Sequence, residues 1–456
     1  MKRKLFLVEK NRIKKFFLKK GLISVIGGFV FFLFLISSSG NAMAIPSYAR
    51  QTGLSCSACH TIFPELNSFG RQFKLNGYTL TGIKTINQTR KNKKGGERKV
   101  LKLLRISSLS AMFQTGFTHV NKTIPGTQNN NIEFPQQLSL FYGGQITPHM
   151  GSFIQVTLDA SGTFGMDNTD IRYANRSKGK IPFTYGFTLN NNPTVQDIWN
   201  TTPAWGFPYT SSGVAPTPAA SPIIDNLGGM VAGLGGYGLI NHLFYFEFTG
   251  YGTAQLGINM PPDATATGVV KGIAPYWRAA IQHQWAKSYV EAGTFGISVK
   301  TYPSGVTGMT DNYTDLGFDL QYEFMFKKGQ FTLHTSYVNE KQTLNATYAS
   351  TNSQNLSNRL NAFKIDGSLF LNTGINFTMG YFNTTGTEDN VLYGPANIPN
   401  SNGIIAQFDY LPWKNTKISL QYTAYNKFDG AKTNYDGSGR NASDNNAIYL
   451  QLWFLF

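Results

Sequence analysis

Between Asp315 and Phe326 the residue type switches at every step. Asp315, Gly317, Asp319, Gln321 and Glu323 fall on one face of an extended chain; Leu316, Phe318, Leu320, Tyr322, Phe324 and Phe326 fall on the other. A period of two is the geometry of a β-strand. The same alternation sets Glu247 and Thr249 against Phe244, Phe246 and Phe248. It also sets Lys364, Asp366 and Ser368 against Phe363, Ile365, Leu369 and Leu371, and Ser419, Gln421 and Thr423 against Ile418, Leu420 and Tyr422. A soluble sandwich turns its charged face to water, whereas a membrane barrel puts apolar groups on lipid and polar groups in the lumen.

Composition favours the second arrangement. Charged residues make up 14% of the chain, against about 25% in ordinary soluble proteins, and aromatics reach the same 14%. After the N-terminal region, no stretch approaches the ~20 apolar residues of a membrane helix.

Connection lengths point the same way. Short turns fall near Pro148-His149, Lys178–Lys180, Asn241-His242, Ala286-Lys287, Lys327–Gly329, Asn372–Gly374 and Trp413–Asn415. Between them lie long connections rich in Asn, Ser, Thr, Gly and Pro, near 118–134, 190–227, 253–272, 300–314, 342–359, 385–402 and 428–445. Outer-membrane barrels carry short periplasmic turns and long external loops. The pattern predicts an all-β chain whose residues 106–456 form an antiparallel outer-membrane barrel of about sixteen strands. An even count returns both ends to the periplasmic side. Ile448, Leu450, Leu452, Phe454 and Phe456 alternate to a terminal phenylalanine, which resembles the signal read by the barrel-assembly machinery.

The N-terminal region reads as an export signal. Nine Lys/Arg and one acid, Glu9, occupy the first twenty residues, an apolar run covers Gly21–Ile36, and Ala42-Met43-Ala44 offers small residues at a cleavage point. Removal of residues 1–44 leaves 31 basic against 23 acidic side chains. Residues 84–105 concentrate that excess: Lys84, Arg90, Lys91, Lys93, Lys94, Arg98, Lys99, Lys102 and Arg105 stand against Glu97 alone. This basic connector separates a short segment, 45–83, from the barrel, and could dock an acidic partner. Basic residues cluster only there and in the signal, which excludes nucleic acid as a partner.

Segment 45–83 contains the only two cysteines, in Cys56-Ser57-Ala58-Cys59-His60. Two thiols three positions apart with a histidine directly after them suit covalent attachment of one haem c through its vinyl groups, with the histidine as proximal iron ligand. A structural zinc site needs four ligands, and a second Cys/His pair is missing. A redox disulfide usually sits in a βαβ setting, which is missing too. Cys56 and Cys59 are therefore the expected attachment points and His60 the expected ligand. Pro64 suits the first turn of a short helix on which Leu66, Phe69 and Phe73 share a face, and Asn76-Gly77 would stop it.

The sixth iron position has no obvious occupant, since Thr61–Arg105 holds neither histidine nor methionine. Met112, His119, His149 and Met150 are the candidates from the barrel. About forty residues rarely build a sufficient core alone, so this α-helical haem segment is expected to finish its burial against the barrel, as a plug in or under the periplasmic mouth.

Ile45–Gly53 leading into the CSACH motif, followed by Phe63–Leu80, resembles the fused monohaem cytochrome–porins, whose best-known members are outer-membrane Fe(II) oxidases. Leu189–Tyr209 is similar to a further element of that family. The resemblance implies haem attachment at Cys56 and Cys59, iron ligation by His60 and a roughly sixteen-stranded barrel. It also implies electron transfer from an extracellular donor such as Fe(II) to a periplasmic cytochrome or copper protein. On that reading the inward carboxylates Glu247, Asp315, Asp319, Glu323 and Asp366 could draw a divalent cation along the lumen. Ordinary lumen polarity, balanced by Arg278 and Lys364, accounts for them equally well. A haem carrier with a different donor, and a plain diffusion porin with a structural CxxC, are the other readings.

Overall fold

The computed structural model describes residues 46–80, 108–159, 161–177, 179–254, 268–303, 305–393 and 396–456. The expected export signal (1–44) and basic connector (84–105) lie outside the described residues. The strands are β1 (Leu109–Val120), β2 (Asn130–Thr147), β3 (Met150–Asp159), β4 (Phe164–Arg176), β5 (Phe183–Asn190), β6 (Val231–Ile240), β7 (Phe244–Thr253) and β8 (Val269–Val270). Then come β9 (Ala274–Gln284), β10 (Ser288–Tyr302), β11 (Asp311–Phe326), β12 (Gly329–Thr343), β13 (Ser357–Leu371), β14 (Ile375–Gly386), β15 (Ser401–Trp413), β16 (Thr416–Lys427) and β17 (Ala447–Leu455).

Each long strand pairs antiparallel with its sequence neighbours, β7 with β9, and β1 closes on β17 from Met112↔Leu455 to Val120↔Ala447. β8 only extends the rim, pairing with the end of β10. The result is a closed barrel of sixteen long strands. Closure leaves no free sheet edge, so every wall strand has its backbone paired on both sides.

The wall is inverted relative to a soluble protein. Phe318 is 52% exposed on the outside, whereas Gln321 on the same strand is fully buried on the inside. Ser419 and Gln421 face inward and Leu420 outward in the same way. Tight connections join the strands at one end, where the expected seven short turns are found. Asn241 and His242 both adopt positive φ, and Leu243 N–H donates to Ile240 O at 2.9 Å. Two central left-handed residues make the hairpin turn whose twist matches that of its strands.

The opposite end carries eight connections, among them a short one between Asp159 and Phe164 joining β3 to β4. There Asp159 Oδ1 accepts from Ser161 N and Thr163 N. The sequence reading gave no loop here, because four residues leave no composition signal.

Two segments occupy much of the described lumen. Residues 46–80 run around the inside of the barrel near the short turns, and connection 191–230 folds inward from the other end. The segment begins with a helix over Ser47–Thr52, beside β2 and β3, where Gln51 donates to Gly143 O at 2.8 Å. Its second helix, Ser68–Leu75, starts four residues later than Pro64 suggested. Asn67 caps it by accepting from Gly70 N at 3.0 Å, as a short polar side chain does at an N-cap. Pro64 instead lies in the preceding turn. The helix stops at Asn76-Gly77, with Gly77 at φ 68°, a backbone that glycine adopts without strain. Residues 46–80 belong to the same compact unit as the barrel.

Candidate functional site

Cys56–Ala58 forms a single 3-10 turn. Cys59 N and His60 N both donate to Cys56 O, at 3.1 and 3.0 Å, so the two thiols and the imidazole leave one tight turn in succession. Both thiols are free and partly accessible. Burial, then the neighbouring Cys56, pushes Cys59 up to about 11, and burial also raises Cys56. A redox-active CxxC depends on the opposite shift, toward thiolate. Helix Ser68–Leu75 presses directly on this turn: a Cβ at Gly70 would collide with Cys59 O.

His60 Nδ1 lies 3.2 Å from both Pro64 O and Glu65 O. Two carbonyl acceptors assign the proton to Nδ1 and leave Nε2 as the lone-pair nitrogen, for which the described residues offer no partner. Burial lowers the His60 pKa, which favours the neutral ring that ligates metals. A metal-ligating imidazole is usually oriented by donating its other ring N–H to a backbone carbonyl in this way. Phe63 packs edge-on to the ring at 5.7 Å and in turn meets Trp453 at 6.4 Å. Lys417 Nζ donates to Phe63 O at 3.1 Å and sits 4.2 Å from the centre of the Trp453 ring. Trp453 Nε1 is buried without a partner among the described residues. Two thiols and an imidazole Nε2 on one turn are the donor set that a covalently attached haem would use.

Of the candidates for the sixth position, Met112 faces inward on β1, 3% exposed, between the lower ends of β17 and β2. Gln114 Nε2 donates to its sulfur at 3.2 Å. His119 sits on the outer face of β1 at the loop end, 2.8 Å from Asn130 Oδ1, far along the strand from the turn end. His149 occupies the β2–β3 turn, with Nδ1 3.2 Å from Ala174 O, and Met150 opens β3 opposite Tyr173. Met112 and His119 both lie on β1, which pairs with the strand of Trp453; Met112 is at the Trp453 end and faces inward, whereas His119 is at the far end and faces outward.

The five lumen carboxylates are all buried, and each meets partners inside the barrel. Glu323 forms a bidentate pair with Arg71 of the plug helix. Asp319 accepts from Arg278 and from Thr201 of the inward connection. Asp315 accepts from Ile224 N at 3.0 Å and stands opposite Glu340. Glu247 accepts from Tyr245 Oη at 2.7 Å and pairs in register with Arg278. Asp366 lies 3.1 Å from His334. Arg278 is a balancing cation, as expected. Lys364 turns to Asp225 at 3.6 Å.

Leu189–Tyr209 ends β5 and then crosses the lumen. Trp199 is wholly buried, donating to Tyr289 Oη at 2.6 Å, and Asp197 pairs with Arg278 at 3.2 Å. Burial works to raise Asp197, but Arg278 and the N–H groups of Trp199 and Thr202 hold it below the usual carboxylate range. Tyr209 reaches Glu65 at 3.1 Å, tying this connection to the plug beside His60. Arg71, Asp197, Glu65 and His334 were not singled out from sequence; each owes its position to a partner far along the chain.

No family model and no curated protein sequence matches the chain. Among solved structures it is similar to the anion-selective porin from Comamonas acidovorans, at 13% identity over 76% of this chain and 98% of that one, with a TM-score of 0.46. The outer membrane channel DcaP of Acinetobacter baumannii gives 12% identity over 76% and 96%, with a TM-score of 0.42. In-vitro folded OmpT, an outer membrane protein of Vibrio cholerae, gives 10% over 76% and 98%, with a TM-score of 0.43.

Proposed function

We propose that this chain is a bacterial outer-membrane electron-transfer barrel that carries one covalent haem c and passes electrons from an extracellular donor, Fe(II) foremost, to a periplasmic cytochrome or copper protein. The apolar exterior and polar interior support a lipid-embedded barrel. The observation that carries the rest is the Cys56–His60 turn, with two free thiols on one turn and an imidazole whose Nδ1 is held by Pro64 O and Glu65 O. Cys56 and Cys59 would hold the haem and His60 would ligate its iron. Bound there, the haem supplies a one-electron iron couple. The protein's own part is to seat that turn against the Gly70 backbone, keep His60 neutral and oriented, and exclude water with Phe63, Trp453 and the plug. Fe(II) as donor rests on the cytochrome–porin resemblance.

A second reading, a plain diffusion porin, has the barrel itself in its favour. The segments 46–80 and 191–230 lodged inside the barrel narrow the path that reading needs. The test has two steps. Purified protein that keeps a haem-staining band under denaturing electrophoresis supports covalent attachment, and a colourless chain removes it. Anaerobic addition of Fe(II) to the oxidised protein should then bring up the visible bands of the reduced state. A stained protein that Fe(II) does not reduce would keep the carrier and lose the donor.

A further inference from the structure

Every described acid near the turn end of the barrel lies inside the lumen. Glu65, Asp170, Glu323 and Asp409 are all buried, and each is matched there. Thr61 Oγ1 donates to Glu65 at 2.7 Å, Arg172 holds Asp170 at 2.6 Å, Arg71 pairs with Glu323, and Ser419 Oγ donates to Asp409 at 2.6 Å. The outside of the same end is different. Arg176, Lys180, Lys287, Lys327, Lys328 and Lys414 are exposed there, on or beside four of the seven tight turns. Among the described residues no Asp or Glu side chain is exposed with them.

The loop end is mixed in sign. Asp159 and Glu388 are exposed there along with Lys432, and Lys122 pairs with Asp444 at 3.0 Å. The one-signed end is also the end that carries the Cys56–His60 turn. Both thiols are partly accessible, and Lys414 lies close enough to Cys56 to act on its charge. By sequence, 84–105 add nine Lys/Arg and one Glu. Ser108, just after them, is held at this end, where its carbonyl accepts from Gly143 N at 2.9 Å. A field of one sign around the approach to a redox centre raises the encounter rate with a partner of the other sign and turns away its own kind. Here it repels metal cations and basic proteins and selects an acidic one.

We propose that the turn-end rim is a docking surface for an acidic electron-transfer protein, which takes the electron beside Cys56 and Lys414. The surface rests on the reading of the chain as a haem carrier and specifies the charge of the acceptor in that reading. The partner's metal gains the one electron that the ferrous iron loses, and no bond is made or broken. Exposed charges act on encounter more than on lifetime, so the complex is brief and sensitive to salt.

The test offers two acceptors that differ chiefly in charge: mitochondrial cytochrome c, which is basic, and the same protein with its lysines succinylated, which is acidic. Each is mixed by stopped flow with the reduced full-length protein in a non-ionic detergent. At about 0.01 M salt the succinylated form should be reduced at least ~10-fold faster, and the two rates should converge toward about 1 M. Lys327→Gln with Lys328→Gln should remove much of that advantage, whereas Lys432→Gln at the loop end should leave it whole. A haem-stained parent that shows no preference loses the docking surface and keeps the electron-carrier reading. Lysines engaged by lipid phosphate instead would give equal rates for both acceptors. The double variant would then lose thermal stability in phosphatidylglycerol vesicles but not in phosphatidylcholine ones, which also overturns the surface. A colourless chain with Cys56→Ala and Cys59→Ala reads the surface without haem. It should co-sediment with succinylated cytochrome c at low salt and release it once Lys327→Gln and Lys328→Gln are added; no binding would overturn the docking whatever the fate of the haem.

Discussion

Arg71 carries its charge into the lumen on helix Ser68–Leu75 and meets Glu323 with both guanidinium nitrogens, each side chain 4% exposed. The same guanidinium donates to Leu66 O at 3.1 Å and lies 4.0 Å from the centre of the Tyr289 ring. Removing one member of a buried pair strands the other without solvent, at a cost of about 3–5 kcal/mol. Arg71→Met should therefore loosen the plug by roughly that amount, and adding Glu323→Gln should recover part of it. Proteolysis within residues 46–80, compared across parent, single and double variants, checks this; an undiminished single variant would place the anchoring elsewhere. That Cys56, Cys59 and His60 leave one turn was legible because their spacing is local. Arg71 was not, since its partner lies 252 residues away and only the register of β11 brings the two together. His334 was hidden for the same reason: its meaning depends on Asp366 across a strand pair.

Among the elements, the connections at the loop end are held by specific hubs. Asp389 accepts from Ser353 Oγ at 2.6 Å, from Gln354 N at 3.0 Å and from Leu392 N at 2.9 Å, clasping 344–356 to 387–400. Burial works to raise this carboxyl, but the Ser353 hydroxyl and the backbone N–H donors hold it well below the usual range. A depressed folded-state pKa gives stability that is present above the unfolded value, about 3.9, and is lost as pH falls below it toward the folded one. The clasp should resist proteases from neutral pH to about pH 4 and open to an acid protease only below that. Asp389→Asn should be cut at neutral pH, and equal resistance of the variant would refute the hub.

The seven tight turns were readable because turn chemistry is local, and so was the alternation that closed the count at sixteen. The start of the plug helix was misplaced, because Pro64 and Asn67 both suit a helix entrance and only the packing of Gly70 on Cys59 O decides between them. That Leu189–Tyr209 crosses the lumen depended on Arg278, Asp319 and Tyr289, which sit on strands distant in sequence.

Across the whole molecule, the two inserted segments set what can travel through it. The apolar band of such a barrel is ~25 Å tall, with long loops on the external side. The Cys56–His60 turn lies at the other end, close to the β15–β16 turn, where Lys414 adds its charge beside Cys56. From the outside, connection 191–230 stands in the way, bound to the wall by Arg278–Asp197 and by Ile224 N to Asp315. Anything reaching the turn from that side must be small enough to pass between packed side chains; a protein-sized reductant cannot.

In vesicles holding the barrel in one orientation, Fe(II) presented on the loop side should reduce the protein, whereas a reductase presented there should not. The same reductase on the turn side should succeed. Asp197→Asn, which weakens the hold on Arg278 and on the N–H groups of Trp199, Thr201 and Thr202, should speed Fe(II) from the loop side and raise ion conductance together. If a protein-sized reductant worked equally well from both faces, the lumen would not be the route, and the electron would have to leave the donor at the outer surface.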